Sequence, residues 1–400
     1  MATVSGLGTT FNLPNFHGEL IAITPTDTPL LSLSGGIGGG KQTTSTRFEW
    51  QTEDLRDPEI RARLEGADAP ASEERSRANI DNVVQIFHEA ISTSYTKQAA
   101  TGQYKTVESA PWTSADGSAN PVADEHGHQV ANALKTIARD VNYVFWHGRE
   151  ANPSTNGSAR QTGGLLQAVT ANRTAAGEVT GLESGAANII SETATALSNG
   201  TKIVFTKAPA ELREDRVYYV VNKATDSFKV AATSGGAALT VATGQSGIAY
   251  VPATASLSWD GFSAFMQGIF DNGGISEQET ATLFVSSRQK RAITAAFAAE
   301  FGKADPYAGS RNVAGFNTQT IETDFGSLNV VVERALAPDT LAVVSLEQID
   351  PVFLEIPDKG VLFEEELART GSSIKSQIYG EIGLKYGNPL THGVYRGLAV

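Results

Sequence analysis

RFEWQTEDLRDPEIRARLEGADAPASEERSRANI, residues 47–80, decides how this chain is read. Thr46-Arg47-Phe48-Glu49-Trp50-Gln51 alternates polar or charged residues with aromatics, the period of a strand with one covered face. A second run, Val83 to Thr96, also predicts strand. Between them charge of both signs is dense: Glu53, Asp54, Arg56, Asp57, Glu59, Arg61, Arg63, Glu65, Asp68, Glu73, Glu74, Arg75 and Arg77. Leu55, Ile60 and Leu64 are its main large apolar residues. Such a segment cannot bury a core of its own. It reads either as a solvated loop or as a long two-stranded projection whose charges meet a neighbouring copy. An isolated hairpin is marginal in water, so the second reading requires a partner.

Upstream, residues 1–45 read as an extended arm. Pro14, Pro25 and Pro29 interrupt every helical period, and Ser34 to Gly40 is nearly all Gly and Ser. Gly35 to Gly40 has neither a strand before it nor a helix after it in this reading, so it is a linker and not a phosphate loop. The arm still carries Leu20, Ile21, Ile23, Leu30, Leu31 and Leu33, apolar surface that must lie against something.

Downstream, residues 120–148 predict a long helix. Asn120 can cap it and Pro121 suits its first position. Val130, Leu134, Ile137, Val141, Val144 and Phe145 form one apolar stripe. At 1.5 Å per residue the rod is roughly 39 Å long, a structural spine. Residues 163–255 then change composition to Thr, Ala, Gly, Ser and Val with no helical period. Lys202–Phe205, Arg216–Asn222 and Ser227–Val230 read as strands of a small all-β insertion. Phe262, Phe265, Met266, Ile269 and Phe270 predict an amphipathic helix stopped by Asn272-Gly273-Gly274. Leu283–Val285 reads as a buried strand, and Ser286 or Ser287 caps a helix reaching about Gly302. Thr318–Thr323 and Ser327–Glu333 form a hairpin about Asp324-Phe325-Gly326, and Leu341–Ser345 is another strand. From Ile374 the even positions Ile374, Ser376, Ile378, Gly380, Ile382, Leu384 and Tyr386 mark a long strand with one buried face.

The 400 residues carry 31 Lys and Arg against 44 Asp and Glu, a net charge of −13 that argues against a surface built to grip nucleic acid. The absence of cysteine removes disulfides, thiolate metal sites and thiol nucleophiles. The first residues show no basic start followed by an apolar run, and no stretch approaches a membrane span, so folding in the cytosol is expected.

Three motifs invite chemistry. Ser287-Arg288-Gln289-Lys290 matches the Ser-x-x-Lys of acyl enzymes, with Arg369-Thr370-Gly371 a faint echo of its partner. Ser118-Ala119-Asn120 lies in the wrong chain order for the third element, so Ser287 reads as a cap and Lys290 as a solvated side chain. Asp324-Phe325-Gly326 lacks every companion of the kinase magnesium motif and reads as a turn. His126 and His128, beside Asp124 and Glu125, are two apart on a helix and do not share a face. No catalytic, cofactor or metal residue is assigned.

The order of parts resembles the major capsid proteins of tailed phages, the Hong Kong 97 fold. The likeness rests on Phe48-Glu49-Trp50-Gln51-Thr52-Glu53-Asp54-Leu55, Arg77-Ala78-Asn79-Ile80 and Gln85-Ile86-Phe87. Tyr218-Tyr219-Val220-Val221-Asn222 with Ser234-Gly235-Gly236 resembles the small β modules inserted in phage virion proteins. The resemblance implies an α+β fold with an N-terminal arm (1–45), an extended loop (46–100), a peripheral domain with spine helix (101–165), an inserted β domain (166–255), an axial domain (256–345) and C-terminal strands (346–400).

It also implies assembly into pentamers and hexamers of an icosahedral shell around double-stranded DNA, with no enzymatic activity. The shell would form in the bacterial cytoplasm beside a portal and a separate scaffold or cement protein, and would enclose DNA without sequence-specific binding. Candidate inter-subunit contacts are Trp50, Arg56, Asp57, Glu59, Arg61, Arg63, Glu65, Arg75 and Arg77 of the loop, with Arg288, Lys290 and Arg291 facing Glu364, Glu365 and Glu366 of another copy. Members that weld their shells use a loop lysine, and none lies between Lys41 and Lys97. Members with a built-in scaffold place roughly a hundred residues before the loop. Here about 45 irregular residues precede it, so the mature chain is expected to keep its N-terminus. Rival readings are a virion decoration or tail protein and a Ser-x-x-Lys acyl-transfer enzyme.

Overall fold

A computed structural model describes residues 24–37, 40–53, 55, 58–69, 77–99, 125–186, 188–275, 281–301, 307–313, 316–368 and 371–400. The chain divides into two units, the smaller holding His88–Ile137 and Phe363–Tyr379, the larger Asp27–Phe87, Ala138–Leu362 and Gly380–Val400.

In the larger unit a seven-stranded sheet forms the main scaffold. Its order is Tyr307–Val313, Phe316–Thr323, Gly326–Val332, Ala281–Val285, Leu341–Ser345, Gly393–Arg396, Arg173–Ala175. Helices Trp259–Asp271 and Ser287–Phe301 pack their apolar residues on it, joining Phe262, Met266, Ile269 and Ile293 to Leu283, Val330 and Leu341 in one core. Ser258 Oγ accepts the amide of Gly261 (3.1 Å) at the first helix start. At the second, Ser286 is the cap, taking the amide of Gln289 at 3.3 Å while donating to Pro338 O. That leaves Ser287 exposed as the first helical residue. Asp324-Phe325-Gly326 is the expected hairpin turn. Phe270, expected on the buried stripe, is about half exposed because the stripe centres on Phe262, Met266 and Ile269.

The reading of Pro29 as a breaker of helix needs correction. Pro29 starts a one-turn helix, Pro29–Leu33, whose Leu30 and Leu31 are buried in their own chain. The free amides of that helix start meet buried acceptors: Leu30 N donates to Glu333 Oε2 (3.3 Å) and Leu31 N to Asn142 Oδ1 (3.1 Å). Gly40 is likewise no part of a free linker, since Lys41–Thr43 follows it as a strand parallel to Asp350–Leu354. Gly40 passes so close that a side chain there would collide with Pro351 O.

The long helix runs Glu125–His147, and Asn120 and Pro121 lie outside the described residues. Its covered positions are Ala133, Ile137, Val141, Phe145 and Trp146; Leu134, expected among them, is 39% exposed. Ile137, Val141 and Phe145 are buried as expected, while Ala133 takes the place of Leu134 and Trp146 that of Val144.

The compositional island contains a closed six-stranded barrel, built by Val179–Gly185, Ile189–Ser191, Lys202–Lys207, Val217–Val221, Ser227–Ala231 and Ser246–Pro252. Ile190, Ile203, Phe205, Val220, Phe228, Val230 and Tyr250 fill it. A single helical turn, Leu165–Ala168, precedes it, a helix that the composition did not reveal. Chain entry and exit lie together: Arg173–Ala175 runs parallel to Val394–Arg396, and Ala255 bridges Leu398.

Candidate functional site

Among the described residues no three acids or histidines cluster so as to hold a metal. The feature that stands apart is the charged hairpin. Arg47–Glu53 pairs antiparallel with Arg77–Val83 in register from Arg47↔Val83 to Glu53↔Arg77. The strand expected within Val83–Thr96 is present as Gln85–Ser94, but it is not the hairpin's partner, since the pairing with Arg47–Glu53 ends at Val83. Arg77-Ala78-Asn79 gave no apolar alternation to read, because all three residues are exposed.

That covered side is the root. Phe48, Trp50 and Thr52 are half-buried while Arg47, Glu49, Gln51 and Glu53 are exposed. Trp50 Nε1 donates to Gly387 O (2.8 Å), and its ring meets Tyr386 edge-on at 4.9 Å. Phe48 lies over Gly383, where a side chain would strike its ring and Val83 O. Burial pushes the Tyr386 phenol up to about 12, so it stays neutral against the tryptophan. The exposed side carries cross-strand polar pairs, Arg47 Nε to Asp81 Oδ2 at 2.7 Å and Asn79 Nδ2 to Glu49 Oε2 at 3.1 Å.

Beyond the root the described residues of the hairpin, 55 and 58–69, are exposed. Leu55, Ile60 and Leu64 are 69%, 99% and 86% exposed. Glu59 pairs with Arg61, two residues away, and Arg63 donates to Asp68 O (3.3 Å), so these charges satisfy one another locally. Glu65 and Arg77 are exposed, and Arg56, Asp57 and Arg75 lie outside the described residues. Trp50 is thus an anchor within its own chain, a role that sequence reasoning missed although the alternation Phe48, Trp50, Thr52 signalled it.

Arg288 and Arg291 are exposed on the first turns of helix Ser287–Phe301, and Lys290 is half-buried, its amine pulled down by burial. Glu364–Glu366 is part of strand Leu362–Glu366. Glu364 Oε1 lies 3.8 Å from His126 Nε2, Glu365 accepts from Gln377 Nε2 (3.2 Å), and Glu366 is exposed. His126 spends its ring nitrogens on Thr93 and Ser376, and His128 pairs with Asn132. Arg369, Thr370 and Ser118 to Asn120 lie outside the described residues.

The family described as SU10 major capsid protein matches residues 3–399. Among solved structures, the capsid asymmetric unit of cyanophage A-1(L) aligns over 98% of this chain and 98% of its own, at 10% identity and a TM-score of 0.54. The encapsulin SrpI of Synechococcus elongatus aligns over 98% and 93%, at 8% identity and a TM-score of 0.49. The capsid of cyanophage P-SCSP1u aligns over 99% and 96%, at 10% and 0.47. No curated protein sequence matches.

Proposed function

Because the chain belongs to the SU10 major capsid protein family and is a self-assembling, non-enzymatic subunit of a tailed-phage shell, we propose that its hairpin, residues 47–83, is the element that locks one subunit onto the next. The observation that carries this is the contrast within the hairpin itself. Its root is anchored through Phe48 and Trp50, while Leu55, Ile60 and Leu64 are held out in solvent. Leaving three large apolar side chains uncovered forfeits about 1.5 kcal/mol or more each, which a neighbour's surface recovers. The charges among them set register, since exposed ion pairs add little strength.

In this reading 1–45 is the arm, 46–100 the extended loop, 101–165 the peripheral part with the spine helix, 166–255 the insertion, 256–345 the axial part and 346–400 the closing strands. Pentamers and hexamers of the chain close an icosahedral shell around double-stranded DNA, in the bacterial cytoplasm, beside a portal and a separate scaffold or cement protein. The acidic balance of −13 supports enclosure of DNA without sequence-specific contacts. Arg288, Lys290 and Arg291 meet Glu364, Glu365 and Glu366 of a neighbour in the same scheme; the local partners of Glu364 and Glu365 mean that they would exchange bonds, not merely gain them.

The test is a deletion of Asp57 to Ser72, leaving the anchored root in place. The expected product is a soluble, folded chain that yields no shells by negative-stain microscopy. Normal shells from that variant would end the assignment.

A further inference from the structure

Where the barrel meets the main sheet there is a cleft of about 260 Å³. Arg149, Arg173, Lys207 and Arg396 line it, together with Glu178 and Glu214, a surplus of two positive charges. The two carboxylates are already engaged: Glu178 by Arg173, Glu214 by Arg149 (2.8 Å) with His147 Nδ1 at 3.4 Å. Arg396 is 2% exposed, and its Nη2 has no hydrogen-bond partner. The acid whose charge most favours it, Asp339, is occupied by the Thr340 hydroxyl (2.9 Å) and the Gly397 amide (3.0 Å). A guanidinium does not give up its proton, so this is a buried charge without a contact partner, an arrangement costing several kcal/mol unless something neutralises it.

Two more residues of the same cleft carry an orphaned atom, Arg173 its Nε and Thr206 its Oγ1, both buried and unpartnered. All three orphaned atoms can donate a hydrogen, and buried donors in native proteins are almost always satisfied. Three unsatisfied donors on residues of one cleft, with surplus positive charge, are complementary to an acceptor-rich anion. The volume suits a free ion and its waters, not a polymer strand.

We propose that this cleft binds a small oxyanion of the phosphate class, held by Arg396, Arg173 and Thr206, with Lys207 at its mouth supplying charge. The ion pins the barrel to the shell body. Arg173 and Arg396 belong to paired strands of the main sheet, whereas Thr206 and Lys207 belong to the barrel. One ion therefore bridges the two.

The experiment uses soluble subunits of the full chain in chloride buffer at fixed ionic strength, with inorganic phosphate raised to about 20 mM. A ligand that binds only the folded form raises the melting temperature saturably. The expected result is a saturable rise, with apparent affinity weakened about tenfold or more in Arg396→Gln. Should that variant fail to fold, the exposed Lys207→Met must weaken the affinity severalfold, and Lys223→Gln, an equal charge change on the barrel away from the cleft, must leave it unchanged. Sulfate in place of phosphate reproduces the rise, whereas acetate, planar and singly charged, does so weakly. No saturable shift means that the cleft holds only water, and an equal shift in every variant means a general surface-ion effect; either result overturns the proposal.

Discussion

The hairpin and the barrel are opposite solutions to the same problem, a projecting stretch of β structure that must hide its apolar residues. The barrel closes on itself: six strands leave no open edge, and Phe205, Val220, Phe228 and Tyr250 sit inside it. The hairpin has two strands and two open edges, and past its root it exposes Leu55, Ile60 and Leu64. One region carries its own core, and the other does not. In the proposed reading the β excursion with its own core is an ornament, and the one without is a fastener.

Exchanging deletions gives the largest contrast. Removing Asp57–Ser72 is expected to abolish shells completely. Replacing 178–252 by a short Gly/Ser linker is expected to leave shells intact, because entry at Ala175 and exit at Ala255 already lie beside the same C-terminal strand. Electron microscopy of the two variants in parallel reads both outcomes. Loss of capsomers on barrel removal would make the barrel part of the shell's own frame and collapse the distinction.

A finer cut replaces Leu55, Ile60 and Leu64 together by Ser. Taking roughly 1.5 kcal/mol for each side chain buried at a neighbour, assembly loses about 4–5 kcal/mol per subunit. Melting of the unassembled subunit should not move, since these residues touch no core. A drop in subunit melting would show that they pack within the chain instead.

Ion pairs sharpen the comparison further. Glu214 joins the barrel to the body through Arg149 and His147, its side chain 12% exposed. Burial alone pushes its carboxyl up, but His147 and Arg149 more than reverse this and hold it below the usual 4.5. A depressed carboxyl contributes stability above the unfolded value, and that contribution is lost as pH falls through the folded one. In phosphate-free buffer Glu214→Gln should therefore cost about 3 kcal/mol at neutral pH, with the gap from wild type narrowing in acid. On the hairpin, Asp81→Asn breaks the solvent-screened pair with Arg47 and should cost far less than Glu214→Gln. Calorimetry across pH tests both; equal costs would mean that the barrel's docking pair is no better shielded than the hairpin's.

Legibility in the sequence followed the same divide. The alternation Phe48, Trp50, Thr52 announced a strand, but its partner Arg77–Val83 was hidden because its first three residues are exposed on both faces and its buried end includes the polar Asn82. Three barrel strands were legible where Val, Tyr and Phe cluster. Val179–Gly185 and Ser246–Pro252 were not, since glycines and register shifts break their period. In Ser373–Lys385 the even-position pattern holds only in part: Ser376, Ile378 and Gly380 alternate with half-buried neighbours, whereas Glu381 to Leu384 are buried at every position. The reason is visible at Gly383, where the hairpin's Phe48 covers the face that the pattern left to solvent. The cleft had no sequence signal at all, because Arg173 and Arg396 are brought together only by strand pairing across most of the chain.

The smallest expected effect is none. A fastener can be made permanent by an amide bond between a lysine amine and a neighbour's carboxamide, and such a weld would make apolar burial at the hairpin secondary. No lysine lies between Lys41 and Lys97, so no residue of the uncovered hairpin can supply the amine. Lys41 itself is held at the root, 2.7 Å from Asp350, with Lys385 at 3.2 Å from the same carboxylate. The hairpin must then hold by burial and register alone. Particles boiled in detergent should run as one band near 42.2 kDa. A ladder of multimers would show a covalent fastening supplied from elsewhere in the chain, and the hairpin's exposed leucines and isoleucine would lose their place as what holds one subunit to the next.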